Sequence, residues 1–164
     1  MIGLLKMIIN GNLILEKSSV QSLGKIKEIY GKLDLYECKN IESLENVEYI
    51  KSSLYLTNST VKSLGKLKFV GGDFIASSFI KSLGELKEVE NYLNLYNCYT
   101  LESLGKLEKV KHLNIAGCRN LTSLGNLKEA KVITMWDCGI TREMMEEKYP
   151  EILYKAICDF GGGN

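Results

Sequence analysis

The stretch Leu93-Asn94-Leu95-Tyr96-Asn97-Cys98-Tyr99-Thr100-Leu101-Glu102-Ser103-Leu104-Gly105 is followed at once by a second version of itself, Leu113-Asn114-Ile115-Ala116-Gly117-Cys118-Arg119-Asn120-Leu121-Thr122-Ser123-Leu124-Gly125. Each runs from an alternating apolar segment, through a Cys, into Ser-Leu-Gly. The Ser-Leu pair recurs at Ser22, Ser43, Ser63, Ser82, Ser103 and Ser123, in steps of 19 to 21 residues. Five of the six continue into glycine, and the second carries Glu45 instead. Seven positions beyond each serine lies an apolar residue or alanine: Ile29, Ile50, Val70, Val89, Val110 and Ala130. A fixed period of this length is the mark of a repeat architecture.

Between these markers the period falls to two, as in a strand with one buried side. The inward pairs are Leu13/Leu15, Leu33/Leu35, Leu54/Leu56, Phe74/Ala76, Leu93/Leu95, Leu113/Ile115 and Ile133/Met135. About 20 residues accommodate a strand, a turn, a short return segment and a second turn, but no long helix. One such coil cannot bury its own apolar side, so the coils must stack and share a core. Seven parallel strands at about 4.8 Å spacing predict a stack roughly 30 Å long. From the return side the core is filled by Leu23, Leu64, Leu83, Leu104 and Leu124, and by Ile26, Leu67, Leu86, Leu107 and Leu127. Glycine after Ser-Leu allows a tight turn that a β-carbon would hinder.

The boundaries follow from where the repeat stops. Residues 1–140 are the solenoid, with 1–12 as its N-terminal edge, where Ile2, Leu4, Leu5, Met7, Ile8 and Ile9 are expected to cover the first coil. Thr141 is placed to cap a helix that starts at Arg142. Pro150 suits the first position of a second helix, with Ile152, Leu153, Ala156 and Ile157 on one side. Residues 141–160 are therefore predicted as a helical C-terminal cap, and 161–164 (Gly-Gly-Gly-Asn) as a flexible tail.

With 164 residues, 45% of them apolar, the chain can build a sizeable core. A net charge of +1, from 21 basic and 20 acidic residues, argues against a dedicated nucleic-acid binder. The N-terminus lacks a basic start and a small-residue cleavage site, and its apolar run is too short to span a bilayer. Five cysteines, an odd number without an export signal, suggest reduced thiols and a cytoplasmic protein with no membrane association.

The Leu-x-Leu-x-x-Cys-x-x-Leu pattern resembles the leucine-rich repeat, and a period near 20 is similar to its shortest bacterial type. The Ser-Leu-Gly phrasing resembles repeat proteins of bacteria and their phages. Over residues 13–140 this resemblance implies a seven-stranded parallel sheet on a concave face, short return segments on the convex face, and use as a binding scaffold. It is nearly silent on the partner. The chain departs from the pattern at short turns after Leu56 and Ala76 and across Gly71-Gly72-Asp73-Phe74-Ile75-Ala76-Ser77-Ser78, where irregular stacking is expected.

Cys38, Cys98, Cys118 and Cys138 invite a metal reading, but zinc sites usually have paired short spacings and additional ligands. A buried ladder of small apolar side chains, with Ser59 substituting once, explains them better. No nucleophile stands in a defined relation to His112, the one histidine, nor any base to Cys158, so no catalytic residues, metal site or cofactor are assigned. The return-segment lysines are interleaved with glutamates, as on a solvated face.

The outward strand positions read Asn12/Ile14/Glu16, Lys32/Asp34/Tyr36, Ser53/Tyr55/Thr57, Asp73/Ile75/Ser77, Tyr92/Asn94/Tyr96, His112/Asn114/Ala116 and Val132/Thr134/Trp136. Stacking lays them on one side of the sheet. Four tyrosines and the only tryptophan fall there, and such side chains are favoured interface anchors. The partner-binding candidates are Tyr36, Tyr55, Tyr92, Asn94, Tyr96, His112, Asn114 and Trp136.

These readings lead to a non-enzymatic protein-binding module, a monomer or an edge-mediated dimer. The resemblance suggests a bacterial host protein as partner and inhibition of a host defence complex as a use. The alternative is a nucleic-acid-binding protein that uses its convex lysines and surface tyrosines.

Overall fold

The computed structural model describes residues 7–161. The expectations for Ile2, Leu4 and Leu5, and for residues 162–164 of the tail, lie outside the described residues. The elements in chain order are β1 (Met7–Ile9), β2 (Leu13–Ile14), β3 (Ile26–Ile29), β4 (Leu33–Asp34), β5 (Tyr49–Ile50), β6 (Leu54–Tyr55), β7 (Phe69–Val70), β8 (Phe74–Ile75), β9 (Glu88–Asn94), β10 (Lys109–Asn114), β11 (Val132–Thr134), α1 (Arg142–Lys148), α2 (Pro150–Lys155) and β12 (Ile157–Asp159).

The chain is a parallel β-solenoid of about six turns with a spacing near 20 residues. Its front row stacks β2, β4, β6, β8, β9, β10, β11 and β12 in parallel. The register aligns the first inward residues in one column: Leu13, Leu33, Leu54, Phe74, Leu93, Leu113, Ile133 and Cys158. From Leu33 to Ile133 every member is at most 1% exposed, so the column forms the spine of the core. Each such side chain contributes about 1.5–3 kcal/mol by leaving water. At the open first coil, Leu13, Leu15 and Ile26 are only half-buried.

A second parallel row, which the sequence reading did not anticipate, runs through the return side: β1, β3, β5, β7 and the first residues of β9 and β10. Its buried column is Ile29, Ile50, Val70, Val89 and Val110. β-Branched side chains favour extended backbone there, and the stacked coils then hydrogen-bond along the column. Met7–Ile9 opens this row by pairing with β3 of the first coil, where Ile9 packs against the core while Met7 and Ile8 stay exposed.

The Ser-Leu-Gly phrase has a local explanation. Gly24, Gly65, Gly84, Gly105 and Gly125 all have φ of 57–59°, and Glu45 holds 52° in the same place. The serine hydroxyl accepts a hydrogen bond from the N–H two residues on, as Ser103 does from Gly105 at 3.0 Å and Ser123 from Gly125 at 3.0 Å. At Gly125 the requirement is steric as well, since a β-carbon would sit 2.3 Å from the Gly105 carbonyl oxygen.

The C-terminal end follows the predicted cap through its two helices and then departs from it. Thr141 caps α1 by accepting from Met144 N at 3.2 Å, and Pro150 opens α2. Met145 and Ile152 are buried. The Tyr149 hydroxyl accepts from Leu124 N at 3.0 Å, where earlier coils use the carbonyl of the next serine. Ala156 then turns extended, with φ −103° and ψ 150°, and Ile157–Asp159 joins the front row as an eighth strand beside β11. Residues 141–160 are therefore not wholly helical. Ile157, expected on the buried side of a helix, lies on this edge strand and is 71% exposed. The physical reason is that β11 would otherwise present open backbone groups, which the backbone of Ile157–Asp159 satisfies.

Candidate binding face

On the outer side of the front row the candidate residues fall into two groups. Tyr92 and His112 are direct cross-strand neighbours on β9 and β10, and so are Asn94 and Asn114. Asn114 Nδ2 donates to the Tyr92 hydroxyl and to Asn94 Oδ1, both at 3.3 Å. Asn94 and Asn114 also accept from the backbone N–H two residues on, Tyr96 N and Ala116 N, each at 3.0 Å. Asp34 does the same for Tyr36 N at 3.1 Å. These amides and this carboxylate therefore hold the strand exits, and Asp34, read from the sequence as outward, is only 5% exposed.

Next to this network is the closest aromatic pair on the face. Tyr96 and Trp136 belong to coils separated by a third, yet their ring centroids are 5.8 Å apart at an interplanar angle of 57°. The residue between them in the stack is Ala116. Its methyl group leaves room for the rings to meet, and the rings bury it: Ala116 is 0% exposed, against the outward exposure expected for it. Tyr96 and Trp136 remain 47% and 38% exposed. Beside them Arg119 binds both carboxylate oxygens of Asp137, with Nη2 to Oδ2 at 2.7 Å.

Tyr36 and Tyr55 form the second group, in the N-terminal half. Lys17 Nζ lies 5.8 Å from the centre of the Tyr36 ring, and Lys32 Nζ lies 5.5 Å from that of Tyr55. Lys32 also pairs with the buried Asp34 at 3.2 Å. The hydrogen bond to Glu37 pushes the Tyr36 phenol above its ordinary pKa. Tyr36 and Tyr55 are thus engaged with their own neighbours, apart from the Tyr96–Trp136 pair.

A break in the repeat separates the groups. In most coils three residues lead from the last inward strand residue to the buried Cys or Ser column: Leu35 to Cys38, Leu56 to Ser59, Leu95 to Cys98 and Ile115 to Cys118. Their turns include a residue at positive φ, such as Glu37, Asn58, Asn97 or Gly117. In the fourth coil Ser77 follows Ala76 directly. Ser77, read from the sequence as outward, is 1% exposed and donates to the Ser59 carbonyl at 2.9 Å. The two missing residues leave a notch of about 250 Å³, with Ile75 and Ala76 beneath, Thr57 and Ser78 on its rim, and Tyr96 and Asn97 on the far side.

Four exposed aromatics lie outside the candidates read from the sequence: Tyr30 and Tyr154 away from the front row, and Phe79 and Tyr99 beside it. Phe79 is 52% and Tyr99 49% exposed, on the turns beyond the front row. At the place of Phe79 the next coil has Thr100, whose hydroxyl donates to the preceding coil at Ile80 O, 3.0 Å away. An apolar residue at a position that otherwise ties coils together was the available signal.

The return side is different in kind. Lys62–Glu42 (2.6 Å), Lys68–Glu48 (2.7 Å), Lys106–Glu85 (2.7 Å), Lys109–Glu88 (3.0 Å) and Lys128–Glu108 (2.7 Å) each join one coil to the next. The lysines hold the carboxyls of Glu42, Glu48, Glu85 and Glu108 below their ordinary pKa. A larger cavity, about 480 Å³, lies between the last coils and α2, with Lys109, Lys111, Lys128, Lys131 and Lys155 around it. Lys109, Lys128 and Lys155 are paired with Glu88, Glu108 and Glu151, which cancels much of its positive field.

Cys38, Cys98 and Cys118 occupy the buried column beside Ser59 and Ser77, Cys138 and the edge-strand Cys158 are half-buried, and all five are free thiols. Cys118 Sγ donates to Leu95 O at 2.9 Å. A hydrogen bond with Cys118, with burial behind it, pushes the Cys98 thiol far above its ordinary pKa. Among the described residues no three His, Cys, Asp or Glu side chains cluster as metal ligands, and no helix is long and apolar enough to cross a membrane. Comparison of the chain with protein-family models, with curated proteins and with solved structures returned no match.

Proposed function

We propose that the chain is a non-enzymatic binding module that takes another protein on the outer side of its front row, with Tyr96 and Trp136 as anchors. The observation that carries this reading is the ring pair closed over Ala116. The pair is already in mutual contact, so little side-chain entropy is lost on binding, and both rings keep large exposed areas. Tyrosine and tryptophan combine apolar area with a polar tip, the combination most enriched at interface centres. Phe79 and Tyr99 extend the exposed aromatic surface along the neighbouring turns.

The pattern is that of a leucine-rich repeat of the short bacterial or phage type, with the front row on its concave side. That resemblance supports a cytoplasmic protein of bacterial or phage origin whose partner is a host protein, and inhibition of a host defence complex is the use we put first. Capture from bacterial lysate tests the reading. The wild-type chain should retain a partner, and Tyr96→Ala with Trp136→Ala should lose it while circular dichroism stays unchanged. Capture that persists in the folded double variant places the site elsewhere.

Nucleic acid is the second reading, favoured only by Lys111 and Lys131 on the cavity beside α2. It requires binding that weakens steeply with salt. No retention of single-stranded RNA or DNA at low salt removes it.

A further inference from the structure

The notch over the fourth coil differs chemically from the other concave places on this molecule. The cavity beside α2 and the depression around Tyr55 both carry lysine and acidic side chains. The notch has no Lys, Arg, Asp or Glu on its walls. Its floor is aliphatic, from Ile75 and Ala76. Tyr96 supplies an aromatic wall that is held from the opposite direction by Trp136. Around the rim stand Thr57, Ser78 and Asn97, whose side chains make no hydrogen bond among the described residues.

That combination narrows the ligand. An ion would find no countercharge and would lose hydration on entering. A purely apolar group would cover Thr57, Ser78 and Asn97 and leave them unpaired, which disfavours it. A neutral ring with one apolar C–H face and several hydroxyls meets both demands. Its C–H face lies on Tyr96, and its hydroxyls pair with alcohol and amide groups that can both donate and accept. We propose that the notch binds a neutral hexopyranose ring, such as the terminal sugar of a glycan. This goes beyond the protein-binding reading and does not rest on it, because Trp136 lies outside the notch.

The test is saturation-transfer NMR on the full chain with methyl glycosides of glucose, galactose, mannose and N-acetylglucosamine at millimolar concentration. At least one should receive transfer, strongest at the protons of one ring face. Ser78→Trp, which fills the notch from an exposed position, should abolish the transfer, and so should Tyr96→Ala. Lys106→Ala, on the return side and outside the notch, should leave it unchanged. Absence of transfer to all four sugars overturns the proposal, as does transfer that survives Ser78→Trp or Tyr96→Ala with the fold intact. Partner capture that is lost in Trp136→Ala while sugar transfer fails would refute the sugar site alone.

Discussion

The front and return sides of this solenoid are made by the same repeat, yet they treat their exposed groups in opposite ways. On the return side, lysines reach back one coil to glutamates and neutralise them. On the front side, Tyr96 and Trp136 pack against each other across coils and still stay 47% and 38% exposed. A side whose charges are paired within the chain has little left to offer a partner. A side that keeps two rings assembled and wet has gained little for its own stability from them. The core beneath belongs equally to both.

This contrast can be broken by substitution. The largest effect should come from the shared core. Leu95→Ala, at 0% exposure between Tyr96 and Asn94, should lower unfolding free energy by about 2–5 kcal/mol in urea titration. Backbone positions come next. Gly125→Ala should cost up to about 3 kcal/mol, because its β-carbon meets the Gly105 carbonyl oxygen at 2.3 Å. Gly105→Ala, with open space around its β-carbon and φ of 57°, should cost only about 1 kcal/mol. Equal costs at the two glycines would mean that conformation alone, and not coil-to-coil contact, selects them.

Smaller again is the aromatic pair. A double-mutant cycle on Tyr96→Ala and Trp136→Ala should give a coupling of about 0.5–1.5 kcal/mol in thermal or urea unfolding. Ala116→Glu should remove that coupling by forcing the rings apart. The return-side ion pairs come last. Lys106→Ala or Glu85→Ala should change stability by less than about 1 kcal/mol, and less still at high salt. Their pH signature has a definite sign. The folded-state pKa values of Glu42, Glu85 and Glu108 are lowered, so the contribution of these pairs is present above the unfolded carboxylate pKa. It fades as pH falls through the folded value. Stability that rises on acidification through that window would contradict the pairing.

The architecture was legible in the sequence because period and alternation are both set by packing. The inward leucines, Ser-Leu-Gly turns, Thr141 cap and Pro150 start can each be read from spacing and local chemistry. What escaped depended on contacts between coils. The second strand row is carried by single residues, Ile29 to Val110, too few per coil to show a period of two. Ile157–Asp159 reads as helix until the open edge of β11 is considered. Ser77 looked outward because alternation was counted through a turn that is two residues short. Ala116 looked outward as well, since nothing in its own strand announces that residues 20 positions away on either side will close over it. Most candidate residues were identifiable as outward strand positions. Their separation into a Tyr36/Tyr55 group and a Tyr96/Trp136 group follows from the fourth coil and was not legible.

The central claim is that binding belongs to the front side and not to the return side. It is tested most directly by measuring the affinity of the captured partner for two double variants, Tyr96→Ala/Trp136→Ala and Lys106→Ala/Lys128→Ala, each checked for an unchanged thermal midpoint. The front variant should weaken Kd by at least about thirtyfold, the loss of one interface anchor or more, and the return variant by about twofold or less. A return variant that loses the partner, with the front variant still binding as wild type, would contradict the account.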